Sequence, residues 1–160
     1  MKVVLDTSAV IYLNDFRSFE EMFTVSNVIE EVKDKVSNLK LSGLKINVVE
    51  PSESAVKQVK EVAKRTGDLE KLSHTDLKVL AAAREHKLTI ISDDYNIQNV
   101  AEKLGIKFIS IFNRQITKLI RWKYYCKDCK KFYDDKTSCP RCGLPLIRRP
   151  EKIRKIERKL

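Results

Sequence analysis

Five carboxylates and four thiols are the side chains of this 160-residue sequence whose types and spacing can do chemistry. Asp6 follows the apolar run "KVVL", Asp93 and Asp94 follow "LTII", and Glu31 and Asp76 fall in segments with helical periodicity. Carboxylates gathered in one place repel one another unless a cation shares them. Their hard oxygens suit Mg²⁺ or Mn²⁺, ions that keep several waters and also bind phosphate oxygens. One or two such ions acidify a bound water and neutralise charge developing on a phosphodiester, which is the chemistry of a nuclease. Competing chemistries lack their residues: the only histidines are His74 and His86, and the chain has neither a Ser/His/Asp arrangement nor a Gly-rich phosphate loop.

The elements around these acids follow from pattern. "KVVL" reads as a buried strand ending at Asp6, with Thr7 and Ser8 opening a helix. In 26–36, Val28, Val32 and Val36 share a helical face that leaves Glu31 half covered. "KINVVEP" is a strand stopped by Pro51, and 52–67 is a helix carrying Val56, Val59 and Ala63, ended by Gly67. "DLEKLS" reads as a loop, and "SHTDLKVLAAAREHK" as a buried helix with Asp76 in its first turn. The strand "LTII", the Asp pair, the helix "NIQNVAEKLG" and the strand "KFISI" complete an alternation that argues for a parallel sheet covered on both faces. In such α/β sheets functional groups collect beyond the carboxyl ends of the strands.

Each acid also has a plainer reading. Asp6 can cap the following helix, Glu31 can be a solvated neighbour of Glu30, and Asp76 can pair with Ser73 in a capping box. What favours the chemical reading is the joint placement of all of them around one crevice.

Composition shifts after about residue 113. Residues 1–114 hold 17 Lys/Arg and 17 Asp/Glu, residues 115–160 hold 15 and 5, and the net charge of +10 therefore lies wholly in the second segment. Cys126, Cys129, Cys139 and Cys142 form a C-x₂-C-x₉-C-x₂-C pattern, two thiolate turns expected to make a tetrahedral zinc site, with paired disulfides or redox thiols the alternative. Four thiolates close such a site, so this zinc is structural and folds a piece too small for its own core. Zinc lowers the charge of the segment to about +8, still enough to draw a polyanion such as nucleic acid. Lys123, Lys127, Lys130, Lys131 and Arg141 are candidate phosphate contacts, and Tyr124 and Tyr125 candidate base-stacking residues, with core packing the alternative for each aromatic. Residues 112–122 read as a connecting helix or linker. The basic end 147–160 has Ile153, Ile156 and Leu160 at roughly helical spacing, or is a frayed terminus. No apolar run approaches the roughly 18 residues of a membrane span, and no signal-peptide pattern is present, so an intracellular, cytoplasmic location is expected.

Taken together, "VVLDTSAVI", "EEVKD", "LSHTDLKVLAAA" and "ISDDYNIQNVA" resemble a PIN (PilT N-terminus) domain. With the ribbon, the chain resembles the short archaeal form of the nin-one-binding family of ribosome-assembly nucleases over nearly its whole length. The resemblance implies an α/β fold, a PIN-like parallel sheet flanked by helices over 1–113, then a linker over 114–122, a small β zinc ribbon over 123–147 and a basic tail over 148–160. It also implies a metal-dependent, single-strand-specific endoribonuclease that trims the 3′ end of small-subunit ribosomal RNA precursor in pre-ribosomal particles. The family's acids map to Asp6, Glu31, Asp76 and Asp94 as Mn²⁺ or Mg²⁺ ligands, which leaves Asp93 to cap the next helix or hold a metal-bound water. A toxin-type PIN ribonuclease and a catalytically idle RNA-binding assembly factor are the alternatives.

Overall fold

Residues 1–33, 43, 45–112, 115–134 and 137–157 are described by a computed structural model. At its centre lies β1 (Lys2–Leu5), whose Val3, Val4 and Leu5 are wholly buried. Consecutive apolar residues, rather than alternating ones, are what a strand covered on both faces requires. To one side lie β2 (Glu21–Thr24) and β3 (Ile46–Val48), to the other β4 (Thr89–Ile91) and β5 (Phe108–Ile109). All four pairings are parallel, in the order β3-β2-β1-β4-β5. The chain thus builds outward from β1 in one direction, then returns to β1's other side with β4. Between β1 and β4 the direction of winding reverses, which opens a crevice beyond their carboxyl ends.

Among the described residues five helices connect and cover the sheet: α1 (Thr7–Tyr12), α2 (Ser26–Lys33), α3 (Glu53–Thr66), α4 (His74–Glu85) and α5 (Tyr95–Leu104). The stop and start signals act as the sequence predicts. Ser52 caps α3 through Ala55, Ser73 and Asp76 form a reciprocal capping box on α4, and Gly67 and Gly105 end α3 and α5 in the left-handed conformation. Val28 and Val32 of α2 are buried as expected, while Val36 lies outside the described residues. The segment "DLEKLS" contains one 3-10 turn, Leu69–Lys71. Strand β2 was not legible in the sequence: "EMFT" is four residues long without alternation, and it is a strand because β1 and β3 supply its partners.

Two expectations about the second half need correction. The stretch foreseen as a helix or linker over 112–122 instead enters β6 (Lys118–Tyr125), and the tail foreseen as a helix or frayed end is β8 (Ile147–Lys155). They pair antiparallel from Lys118↔Lys155 to Tyr125↔Ile147, and β7 (Phe132–Tyr133) joins β6 on the other edge. The apolar spacings that suggested helices suit either period, and the pairing partner is some thirty residues distant in sequence. Pro150, which cannot donate to a ladder, sits opposite Trp122 next to a bulge on the sheet's edge strand.

This second sheet is fastened to the first by one buried carboxylate. Asp68 has no exposed surface, and it accepts hydrogen bonds from Asn99 Nδ2 at 2.6 Å and an Arg148 guanidinium nitrogen at 2.8 Å. Asn99 also bonds both backbone groups of Ile120 in β6, at 2.8 and 2.9 Å, and Arg148 reaches the Gly67 carbonyl at 3.0 Å. Gly67 matters here twice: its φ is +76°, and a Cβ built on it would stand 2.1 Å from the Trp122 carbonyl oxygen. The absence of a side chain is what lets β6 approach the end of α3.

Burial raises the Asp68 pKa above the ordinary carboxyl value, and Asn99, Thr66 and Arg148 pull it back only in part. Because the folded value is raised, the carboxyl's contribution to stability is fully present below the unfolded pKa and is lost as pH rises through the folded one. Replacing Arg148 with Met leaves a buried charge without its cation, and should cost about 3 kcal/mol in urea unfolding at neutral pH. The deficit should shrink in mildly acid buffer, where Asp68 takes up a proton.

Candidate active site and cysteine cluster

Asp6 leaves β1 with 6% of its surface exposed and caps α1, its Oδ1 accepting from the Ala9 N–H at 2.6 Å and the Ser8 hydroxyl at 2.8 Å. Asp94, at the end of the loop after β4, caps α5: its Oδ1 accepts from the N–H and side-chain amide of Asn96 at 2.7 and 2.9 Å. Asp76 is held through Oδ2 by the Ser73 N–H at 2.8 Å. Glu31, half-buried on α2, takes the Thr7 hydroxyl on one oxygen and the Thr75 hydroxyl on the other, both at 2.6 Å. These four acids, from four different elements, line a single cleft of about 300 Å³ together with Thr7, Ser8, Ile11, Tyr12 and Ile97.

The plainer readings are therefore also correct for Asp6 and Asp76, which are capping residues, and Asp94 proves to be one as well. Capping and cleft lining coincide because a cap points its carboxylate out of the helix N-terminus, and these N-termini face the crevice. Glu31 is not a solvated twin of the exposed Glu30, for its hydroxyl donors hold it toward the cleft.

Electrostatics in the cleft is repulsive. Burial pushes the Asp6 carboxyl up, against the Ser92 hydroxyl, the Ala9 N–H and Ser8, and Asp76 adds to the push. Burial likewise raises Asp76, with Asp94 and Glu31 adding to it and Ser73 opposing. An all-oxygen donor set that repels itself is the chemical setting that fits a hard divalent cation. Asp76 accepts from the Ser73 N–H through Oδ2 and Asp94 from Asn96 through Oδ1, and Glu31's oxygens each keep a second acceptor site, so the set can serve an ion without losing its supports.

Asp93 and Asp94 divide differently from the expectation. Asp94 caps the helix and faces the cleft, whereas Asp93 points to the end of the sheet, accepting from the backbone N–H groups of Ile111 at 2.9 Å and Phe112 at 3.1 Å. The capping role foreseen for Asp93 thus belongs to Asp94. Sequence reasoning missed the aromatic rim: Tyr12 and Phe112, 57% and 67% exposed, meet edge to face with ring centroids 6.2 Å apart, and Tyr12 lines the acidic cleft. The signal was present as an aromatic one helical turn beyond Thr7–Ser8, but it reads equally as core.

In the second module the sulfurs of Cys126, Cys129, Cys139 and Cys142 all lie within 4.8 Å of one another. Cys126 and Cys142 are 3.5 Å apart and Cys129 and Cys139 3.8 Å. A tetrahedron with metal–sulfur bonds of about 2.3 Å has edges of about 3.8 Å, so the thiols stand where one four-coordinate ion would hold them. The two turns are built alike: Lys130 N–H bonds to the Cys126 carbonyl and Gly143 N–H to the Cys139 carbonyl, and both Lys130 and Gly143 have positive φ. The cluster is zinc-ribbon-like in its arrangement.

Several residues foreseen as nucleic-acid contacts are engaged internally. Lys123 pairs with Asp134 at 3.3 Å and Glu151 at 3.2 Å, and the Tyr124 hydroxyl donates to Glu70. Tyr125 lies under the Arg149 guanidinium and against Phe132. Lys127, Lys130, Lys131 and Arg141 are exposed around the knuckles.

Comparison with known proteins agrees with this geometry. The family described as "PIN domain of ribonuclease" matches residues 3–85, the span that carries Asp6, Glu31 and Asp76. The chain is 42% identical to "Endoribonuclease Nob1" of Pyrococcus abyssi, over 96% of this chain and 97% of that one. It is 37% identical to "Ribonuclease VapC1" of Thermoplasma acidophilum, over 100% of this chain and 84% of that one. A match of 33% identity to "20S-pre-rRNA D-site endonuclease nob1" of Schizosaccharomyces pombe covers 60% of this chain and 26% of that longer protein. A parallel PIN sheet with its acidic crevice, a zinc-ribbon-like cysteine cluster and a match along almost the entire length have one common reading: the chain belongs to the PIN-domain endoribonucleases, in the Nob1 group of ribosome-biogenesis nucleases.

Proposed function

We propose that the acidic cleft hydrolyses single-stranded RNA at the 3′ end of small-subunit ribosomal RNA precursor, with Asp6, Glu31, Asp76 and Asp94 holding one or two Mn²⁺ or Mg²⁺ ions. The observation that carries this reading is the convergence of four carboxylates from four elements on one crevice at the sheet's switch point. An ion bound there supplies an acidified water and charge neutralisation at the phosphodiester. The chain's own residues do the positioning. Asp6 and Asp94, which follow the adjacent strands β1 and β4, both line the crevice. Thr7 and Thr75 fix both oxygens of Glu31, in the way hydrogen-bonding partners orient the ligands of metal sites. In hydrolysis a water oxygen bonds to phosphorus, the bond to the leaving ribose oxygen breaks, and that oxygen takes a proton.

Preference for single strands is supported by the Tyr12–Phe112 rim, since exposed aromatic faces stack on unpaired bases and have little purchase on a duplex. The precursor substrate is supported by the relative named for pre-rRNA cleavage and by the match to Nob1 along the full chain. A toxin-type ribonuclease is the second reading. The match to the protein named VapC1 also spans the entire chain, so the cysteine module does not by itself separate the two, and substrate choice does. The cysteine cluster is proposed to hold one structural zinc, and the protein to act in the cytoplasm on pre-ribosomal particles.

Asp6→Asn should lower Mn²⁺- or Mg²⁺-dependent cleavage of a precursor 3′-end RNA by about 10²-fold or more while leaving RNA affinity intact. Undiminished cleavage would reject the site, and equal cleavage of unrelated RNAs by the wild type would favour the toxin reading. Tyr12→Ala with Phe112→Ala should raise KM for single-stranded RNA about tenfold, with kcat within a few-fold of wild type and a reduced preference over base-paired RNA. Stripping zinc with a chelator, or Cys126→Ser, should open the module around the cysteines, read as new protease cutting between residues 123 and 147. Continued protection there after verified metal loss would contradict a structural zinc.

A further inference from the structure

Beside the junction of the two sheets lies a second concavity, of about 400 Å³, that the acidic cleft does not touch. Its walls carry Arg65 from the last turn of α3, Lys103 from the last turn of α5, Arg121 from β6, and Lys152 and Arg154 from β8. Among the described residues only one of these five cations has an ion pair: Arg121, with Glu151 at 3.3 Å. Arg65 and Lys103 also have a bland explanation, because cations at helix C-termini complement the backbone dipole. That does not extend to the strands. Arg121 and Lys152 are direct cross-strand partners, and like charges set opposite each other on a sheet destabilise it. Arg154 adds a third cation two pairs along the ladder, opposite Leu119. A pattern that costs the fold stability, concentrated in a hollow, is what an anion site looks like without its ligand.

We propose that this basic cleft is a second RNA site, one that grips the phosphate backbone of the strand outside the segment being cut. Three observations favour RNA backbone over other anions. The cleft's apolar walls are aliphatic, Leu119 and Ile120, with no aromatic to stack a base, so it reads charge and not sequence. It lies along α5 from the acidic cleft: Asp94 caps the helix and Lys103 is nine residues on, roughly 13 Å along the axis. Between them a further hollow of about 480 Å³, lined by Tyr95, Asn96, Asn99 and Lys118, shares Ile120 with the basic cleft. The acidic cleft, this hollow and the five cations therefore follow one another along α5, from Asp94 through Tyr95 and Asn99 to Lys103. The site straddles both modules, so the Asp68 fastening that joins them also assembles it.

This inference rests on the RNA-cleaving reading of the acidic cleft, and the experiment separates the two. The full chain loaded with Zn²⁺ and Mn²⁺ is compared with Lys152→Glu/Arg154→Glu, and with the milder Lys152→Met/Arg154→Met, each checked for intact folding by circular dichroism. Two RNAs serve as probes: a single strand of about twenty nucleotides and a short oligonucleotide spanning only the acidic cleft. The charge reversal should weaken binding of the long RNA at least tenfold, with a smaller loss for the Met variant. The slope of log affinity against log salt should flatten by about 0.7 for each lost phosphate contact, and cleavage of the short oligonucleotide should be unchanged. Unchanged affinity and salt slope for the long RNA would overturn the site, as would competition by polyglutamate as effective as by RNA of equal charge, which would point to an acidic protein partner. If the wild type cuts neither RNA yet shows the charge-dependent binding, the nuclease reading fails and the binding site stands.

Discussion

A carboxylate withdrawn from water must be given donors, and two such carboxylates organise this molecule. Asp6 is nearly buried at the end of the central strand and is held by the Ala9 N–H and the Ser8 hydroxyl. Asp68 is wholly buried between the modules and is held by Asn99 and Arg148. The first requirement fixes where α1 starts and which way its N-terminus faces. The second ties α3, α5, β6 and β8 to one point. Both acids are raised in pKa by burial, so each depends on its donors to remain ionised.

The crevice shows why structural and chemical readings of an acid need not compete. A helix N-terminus offers unpaired N–H groups that a carboxylate can satisfy with one oxygen, leaving the other free to face outward. Asp6, Asp76 and Asp94 all cap helices in this way while lining the cleft, and each gains rigidity from the helix that it caps. The same N-termini contribute partial positive charge that eases the crowding of the acids. Glu31 is the exception, being fixed by two threonine hydroxyls, one of them adjacent to Asp6 and the other to Asp76 in sequence. The neighbours of two acids thereby orient a third.

The cysteine module and the nuclease body are joined by more than a linker. Strand β6 begins against α5, passes the end of α3 within contact of Gly67, and continues into the first thiolate turn. Position along β6 therefore sets the geometry between the carboxylates and the thiols. Charge follows the same division: the body is neutral over 1–114, and the cations of the second segment meet those at the ends of α3 and α5. An acidic site that must hold a polyanion profits from cations placed where they cannot collapse onto its own carboxylates.

Read alone, the sequence determined most of the local structure and which acids and thiols were candidates for chemistry. Apolar runs marked β1 and β4, caps and glycines marked the bounds of α3, α4 and α5, and the spacing of four cysteines marked a zinc-ribbon-like cluster, because these depend on neighbours a few residues away. The choice between Asp93 and Asp94 was not settled by spacing, since adjacent side chains on an extended segment diverge and only the packed loop shows which one meets the cleft. Strands β2, β6 and β8 were hidden because extended pairing draws its hydrogen bonds from distant partners. The fates of Lys123 and Tyr124 were hidden for the same reason: a cation and a phenol read as free until Asp134, Glu151 and Glu70 are brought beside them. Chemistry of single residues is local and visible in the chain; which of those residues face one another is decided by tertiary contacts.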